Sequence, residues 1–230
     1  MKIAFFSVTR NTIEETLFYH SINRIVDRVK TEHEASIHYV QNNTEGLSLC
    51  YNKFLDKHRN EFDYVVFVHD DVYIDDYNVV DKITKAHTNF DIVGIAGGVN
   101  AKVIKPALWH LMCGGIGSGN LRGAVAHFTN NEQIIMTTFG PMPSRAAVLD
   151  GLFISVNVKK AKSVGWKFNE NYTFHHYDIA SSIDANNKKL KLGVFPIWVT
   201  HKSPGLLDLN DPRFTTSQDK FVSEYSRMSV

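Results

Sequence analysis

"YVVFVHDDVYI", residues 64 to 74, joins a greasy run to a histidine and two adjacent aspartates. Tyr64 to Val68 is continuously apolar and β-branched, as a strand buried on both faces requires. Acids do not belong in such a place, because burying an unpaired carboxylate costs several kcal/mol or forces its protonation. His69, Asp70 and Asp71 are therefore expected where the strand leaves its sheet and meets a cation or solvent.

The segments on either side repeat one rhythm. Ile3 to Val8 reads as a strand, and Ile13 to Lys30 carries Ile13, Leu17, Ile25 and Val29 at the spacing of a helix laid on a sheet. Ser36 to Val40 alternates as a strand and ends in the polar turn Gln41 to Thr44, after which Leu47, Cys50, Tyr51, Phe54 and Leu55 recur at helical spacing. A helix over 77–87 and a buried strand over 91–96 follow the quoted stretch. The order βαβαβαβ predicts an α/β, Rossmann-related, mostly parallel central sheet flanked by helices, with ligands gathered beyond the carboxyl ends of the strands. Three strand ends then carry polar groups to one edge: Thr9 and Arg10, Asn42 and Asn43, and His69 to Asp71.

Beyond Gly98 the pattern loosens into a glycine- and aromatic-rich stretch and recovers as strands over 133–138, 152–156 and 192–199. "CGGIGSGN", Cys113 to Asn120, lacks the lysine and Ser/Thr of a phosphate loop and reads as a mobile loop, a lid candidate together with Trp109 and His110. Without repeats or linker-like composition, one domain over 1–230 is expected, with 1–99 as its ligand-binding half and 100–230 as a second half and tail.

Bulk composition narrows the partners. The 230 residues are 43% hydrophobic, enough for a sizeable core, and 25 basic residues against 24 acidic ones give no global pull toward nucleic acid or membrane. The lysine runs at 159–162 and 188–191 read as solvated helix faces. Cys50 and Cys113 lack metal-ligand spacing and suit buried thiols without a disulfide. Residues 1–10 hold too short an apolar run for a signal peptide, and no stretch reaches membrane-spanning length, so a cytoplasmic location is expected.

A divalent cation needs hard oxygens or imidazoles converging from separate segments. Asp71 is one such donor, His69 a second, and His201 a third, placed after the apolar run Val194 to Thr200. Taken singly, His69 reads equally as a strand cap and His201 as the partner of a backbone carbonyl.

"YVVFVHDDV", "DIVGIAGG", "LDGLFISV", "GWKFNENYTFHHYDIASSI" and "KLGVFPIWVTHKSPG" resemble, in order, the signature segments of family-two-like glycosyltransferases of the GT-A fold. The resemblance covers most of the chain and is weakest between Asn100 and Gln133 and after Leu206. It implies transfer of a hexosyl or pentosyl group from a nucleoside-diphosphate sugar, UDP-linked by expectation, to a hydroxyl acceptor with inversion. It also implies Mn²⁺ or Mg²⁺ bridging the diphosphate. The family's DxD motif falls on His69-Asp70-Asp71, with histidine in place of the first aspartate. Metal ligation is assigned to Asp71 and His201, while His69 is left between ligating metal and contacting ribose. Asp178 falls on the acidic base motif, although the second acid often found two residues on is here Ala180; the alternative for Asp178 is a helix N-terminal acid. Asp150, in the acid-glycine pair "LDG", is expected to hold sugar hydroxyls, or else to be a turn residue before Gly151. Thr9, Arg10, Asn43 and Asn52 resemble the nucleoside cradle, Asp70 serves the nucleotide, and Lys202 assists the departing phosphates.

The implied acceptor is a glycan, with a hydroxylated DNA base as a second candidate. Rival readings are a non-catalytic nucleotide- or glycan-binding module of the same fold and a nucleotidyltransferase. "SVTRNTIEE" stands where the latter has a glycine-rich basic loop.

Overall fold

The computed structural model describes residues 1–27, 33–128, 133–202 and 208–226. The first half runs β1 (Lys2–Val8), a single 3-10 turn (Ile13–Glu15), α1 (Leu17–Val26), β2 (Glu34–Val40), α2 (Leu47–His58), β3 (Tyr64–Val68), β4 (Val72–Ile74), α3 (Val79–Ala86), β5 (Ile92–Gly94) and β6 (Ala96–Gly98). The second half runs α4 (Trp109–Met112), β7 (Leu121–Phe128), β8 (Ile134–Gly140), β9 (Ser144–Arg145), β10 (Val148–Leu149), β11 (Phe153–Asn157), α5 (Val158–Ser163), α6 (Tyr177–Asn187), β12 (Leu192–Val194), β13 (Val199–His201) and α7 (Pro212–Tyr225).

All five residues of β3 are buried, as their apolarity requires. β3 lies inside a seven-stranded sheet of order β2-β1-β3-β11-β5-β12-β9. The pairs β1–β2, β1–β3 and β5–β12 are parallel, as the βαβ rhythm implies. The expected mostly parallel sheet is nevertheless mixed: β11 runs antiparallel to both β3 and β5, and β9 antiparallel to β12. β10 runs antiparallel to β6 and β11 antiparallel to β5, so the β10–β11 segment retraces the path of β5–β6 in the opposite direction.

A second sheet, β10-β6-β7-β13-β4 with β8 added on β7, packs beyond the carboxyl ends of the first. Two expected single strands are broken where the chain passes between sheets. Residues 91–96 divide into β5 and β6 around Ile95, and 192–199 divide into β12 and β13 around Phe195 to Trp198, where Pro196 has no N–H for a ladder. Ile95, Phe195 and Ile197 stay buried and Trp198, though 41% exposed, is apolar, so apolarity runs on through both breaks and hides them from a periodicity reading. At the first, the carbonyl of Ile95 lies where a side chain on Gly123 of β7 would begin, 2.0 Å from an added Cβ.

The expected helix from Ile13 starts as a 3-10 turn and restarts at α1, because the Thr16 hydroxyl accepts from the Tyr19 N–H and caps the new start. Its expected end at Val29 and Lys30 lies outside the described residues. One hydrophobic core runs from Ile3 to Tyr225, and the two cysteines are buried and unpaired within it. Among the described residues no helix is long and apolar enough to cross a membrane.

Candidate active site

The turn after β3 is shaped by its backbone. Val72 N–H returns to the carbonyl of His69, and the chain enters β4, which pairs antiparallel with β13 so that His201 lies opposite Val72. This pairing carries His201 to the aspartates. Its Nε2 donates to Asp71 Oδ2 at 3.2 Å, and the Lys202 N–H donates to the Asp71 carbonyl at 2.9 Å. His69, Asp71 and His201 each present a ligand atom within 4.8 Å of the others. Two imidazoles and one carboxylate converging from two strands form a donor set that fits a divalent metal such as Mn²⁺.

Electrostatics in the cluster point the same way. Burial acts on His201 to lower its pKa, but the hydrogen bond and charge of Asp71 outweigh it and hold the imidazole above its ordinary value. Burial likewise opposes ionisation of Asp71, and the His201 contact again wins and lowers its pKa. Burial keeps His69 below the usual imidazole value despite the pull of Asp71.

The two expected catalytic acids meet around Gly151. Asp178, in the first turn of α6, accepts the Gly151 N–H on Oδ2 at 2.9 Å and its neighbour's Ile179 N–H on Oδ1 at 2.8 Å. Burial, and then the charge of Asp150, push its pKa up to about 7. Asp150 accepts the Trp109 indole N–H on Oδ2 at 2.7 Å and the Leu152 N–H on Oδ1 at 3.1 Å. The smallness of Gly151 is not a matter of turn conformation: a Cβ there would lie 2.4 Å from the Tyr177 hydroxyl and 3.1 Å from the Asp178 Cβ. Asp178 is both a first-turn acid of α6 and part of the lining of a cavity. Ala180 is fully buried in the core, so an acid two residues after Asp178 would enter the core rather than the cavity.

Two cavities flank the His69-Asp70-Asp71 turn. One, of about 640 Å³, is lined by His69, Asp150, Asp178 and His201 with Trp109 and Phe139 among its aromatic walls. The other, of about 530 Å³, gathers Thr9, Arg10, Asn43 and Asp70. Phe174, 53% exposed, borders both. The ends of β1 and β2 are tied by Thr9 N–H to the Val40 carbonyl and Asn43 N–H to the Thr9 carbonyl, each 2.9 Å. A larger depression of about 990 Å³ around Met1, Lys2 and Asp63 opens at the opposite ends of the strands and holds none of these groups.

One expected site residue is elsewhere. Asn52, 2% exposed, donates to the carbonyl of Phe168 and to Glu170 and accepts the Phe168 N–H, so it fastens α2 to the loop before α6 and lines neither cavity. Lys202 is exposed beside Asp71 at the end of β13. The glycine-rich loop follows α4 and precedes β7; Gly114, Gly115, Gly117 and Gly119 all have positive φ, and its Ile116 borders the 640 Å³ cavity. The sequence reading missed the bonds of Trp109 to Asp150 and of Tyr177 to Gly151. A buried aromatic with a polar tip beside an acid was the available signal.

The family model described as "Glycosyltransferase like family" matches residues 7–225. No match is found among curated protein sequences. Solved structures similar to this chain include S. aureus TarS 1-349 in complex with UDP-GlcNAc, at 12% identity and a TM-score of 0.54, with 92% of this chain and 61% of that one covered. GalNAc-T7 with UDP, GalNAc and Mn²⁺ shows 10% identity and a TM-score of 0.52, covering 87% and 44%. The catalytic domain of Drosophila β1,4-galactosyltransferase 7 in complex with xylobiose shows 13% identity and a TM-score of 0.50, covering 84% and 64%. The chain spans less than two thirds of each of these structures. At such identities the likeness establishes the GT-A fold alone.

Proposed function

The chain belongs to the glycosyltransferase-like family whose model it matches, and from that membership we propose that it transfers a sugar from a UDP-linked donor to a hydroxyl of a glycan acceptor, with metal and by inversion. One observation carries this reading: His69 and His201, whose ligand atoms converge with that of Asp71, border a single cavity with Asp178, a carboxylate with a pKa of about 7, next to a second, polar cavity at the strand ends.

In this reading the 530 Å³ cavity takes the nucleotide. Arg10 meets a phosphate or stacks on the base, while Thr9, Asn43 and Asp70 surround the nucleoside. His69, Asp71 and His201 would hold Mn²⁺ or Mg²⁺, which supplies positive charge to the diphosphate as it departs. Lys202 adds to that charge. The sugar and the acceptor hydroxyl occupy the 640 Å³ cavity against its aromatic walls. Asp150, held by Trp109, orients sugar hydroxyls. Asp178 takes the acceptor proton: each of its oxygens keeps a lone pair beyond its one backbone N–H, and a base with a pKa near the working pH combines availability with driving force. The exposed lysines at 159, 160, 162, 188, 189 and 191 border neither cavity, which favours a glycan over a DNA base as acceptor.

The test is thermal melting with a panel of nucleotides and nucleotide-sugars, with and without Mn²⁺, followed by assay of sugar release to water. A ligand at 100 times its Kd adds about 2.7 kcal/mol, a visible shift. A Mn²⁺-dependent shift with UDP and slow hydrolysis of one UDP-sugar are expected. No shift with any nucleotide would sink the donor reading, and binding without release of sugar would mark a non-catalytic module.

A further inference from the structure

Histidine in place of the first aspartate of the metal motif raises a question an aspartate would not: which ring nitrogen faces the metal. Either carboxylate oxygen can ligate, whereas a neutral imidazole has one nitrogen with a lone pair and one with a proton. The donor count around Tyr177 decides it. The Tyr177 hydroxyl lies 2.9 Å from the Gly151 carbonyl, which can only accept, and a phenol has one proton, so that proton goes to Gly151. His69 Nε2 lies 2.8 Å from the same hydroxyl. Both contacts are satisfied together only when the phenol proton goes to Gly151 and Nε2 carries a hydrogen that it donates to the tyrosine oxygen.

We propose, resting on the metal-dependent reading above, that Tyr177 is a positioning residue that locks His69 in its Nε2–H tautomer and so presents Nδ1 as the ligating atom beside Asp71 and His201. An outer hydrogen bond to the non-ligating nitrogen is the usual device that fixes a metal-bound histidine, and losing it typically weakens metal binding ten- to a hundredfold. Here the device has a further consequence. Gly151 accepts from Tyr177 through its carbonyl and donates to Asp178 through its N–H, so the two peptide units that meet at this one residue join the metal cluster to the base. A side chain at 151 would crowd the Tyr177 hydroxyl, 2.4 Å from an added Cβ.

The experiment has two readouts, neither of them turnover. Long-range ¹H–¹⁵N spectra of the metal-free chain, assigned with His69→Asp, should show His69 protonated at Nε2 and bare at Nδ1; the reverse tautomer overturns the proposal. Mn²⁺ titration followed by electron paramagnetic resonance should show Tyr177→Phe, which keeps the buried ring, weakened about tenfold or more. In a His69→Asp background, where no tautomer needs setting, the same Tyr177→Phe change should alter Mn²⁺ affinity by less than about twofold. Equal losses in both backgrounds would mean general disturbance, and no loss in the native background would mean that Tyr177 does not position the ligand; either outcome overturns it. If the native chain binds UDP-sugar but no Mn²⁺, this inference and metal dependence fall while donor binding stands; if it binds neither, the donor reading falls as well.

Discussion

The two cavities beside the His69-Asp70-Asp71 turn are built in different ways. The polar one is assembled almost locally: Thr9, Arg10, Asn43 and Asp70 leave the ends of β1, β2 and β3, neighbouring strands joined by the βαβ connection. The aromatic one draws Asp150, Asp178 and His201 from segments that reach His69 by antiparallel pairing and by the aim of α6. A repeating unit places groups at strand ends by its own regularity. The second cavity depends on strands that change sheets, so small backbone errors there should be felt at the chemistry first.

Asp178→Asn breaks that contrast hardest. Removing a general base should lower transfer by about 10² to 10⁴-fold while UDP-sugar binding in the other cavity stays near normal; near-native turnover in this variant would assign the base to another group. With Asp178 intact, transfer at low substrate should rise about tenfold per pH unit up to about pH 7 and then level. Its effect on stability has the opposite sign. An acid whose pKa is raised from 3.8 unfolded to about 7 folded binds its proton more tightly in the folded state, so the stability it contributes declines as pH rises through that window. Denaturant midpoints of native and Asp178→Asn protein compared between pH 4 and pH 8 check this, and parallel profiles would contradict it.

Asp71→Asn comes next, because it strikes the boundary between the cavities. Mn²⁺-dependent donor affinity should fall by more than the ten- to hundredfold that loss of an outer-shell partner costs, and calorimetry with UDP in the presence and absence of Mn²⁺ reads it directly. Unchanged affinity would remove Asp71 from the metal site.

Gly151→Ala should cost about 1–3 kcal/mol from overpacking against Tyr177 and Asp178, and should impair both Mn²⁺ binding and turnover. Loss of only one would show that the linkage through residue 151 is not shared. The smallest effect on function belongs to Asn52→Ala: urea unfolding should show a loss of about 1–3 kcal/mol from the buried partners left unpaired, with UDP affinity unchanged in the folded protein. A specific loss of UDP affinity would return Asn52 to the nucleoside cradle.

Residue type and periodicity alone determined the α/β alternation, the burial of Tyr64 to Val68, and the appearance of polar groups at the ends of β1, β2 and β3. These are local consequences: a buried strand must be apolar along its length, and charge must wait for its end. The family resemblance carried the singling out of Asp150 and Asp178, whereas His201 was already marked by its place after an apolar strand. The bonds of Asn52 to the Phe168 backbone were not legible, because a polar residue on a helix looks the same whether it faces a ligand or the buried backbone of a distant loop. Only the tertiary structure decided the antiparallel entry of β11, the sheet changes near Ile95 and Pro196, the hold of Trp109 on Asp150, and the chain from Gly151 through Tyr177 to His69. Each of these depends on partners far apart in sequence whose meeting no local pattern encodes, since hydrogen-bond donors are counted only once the groups that share them are in place.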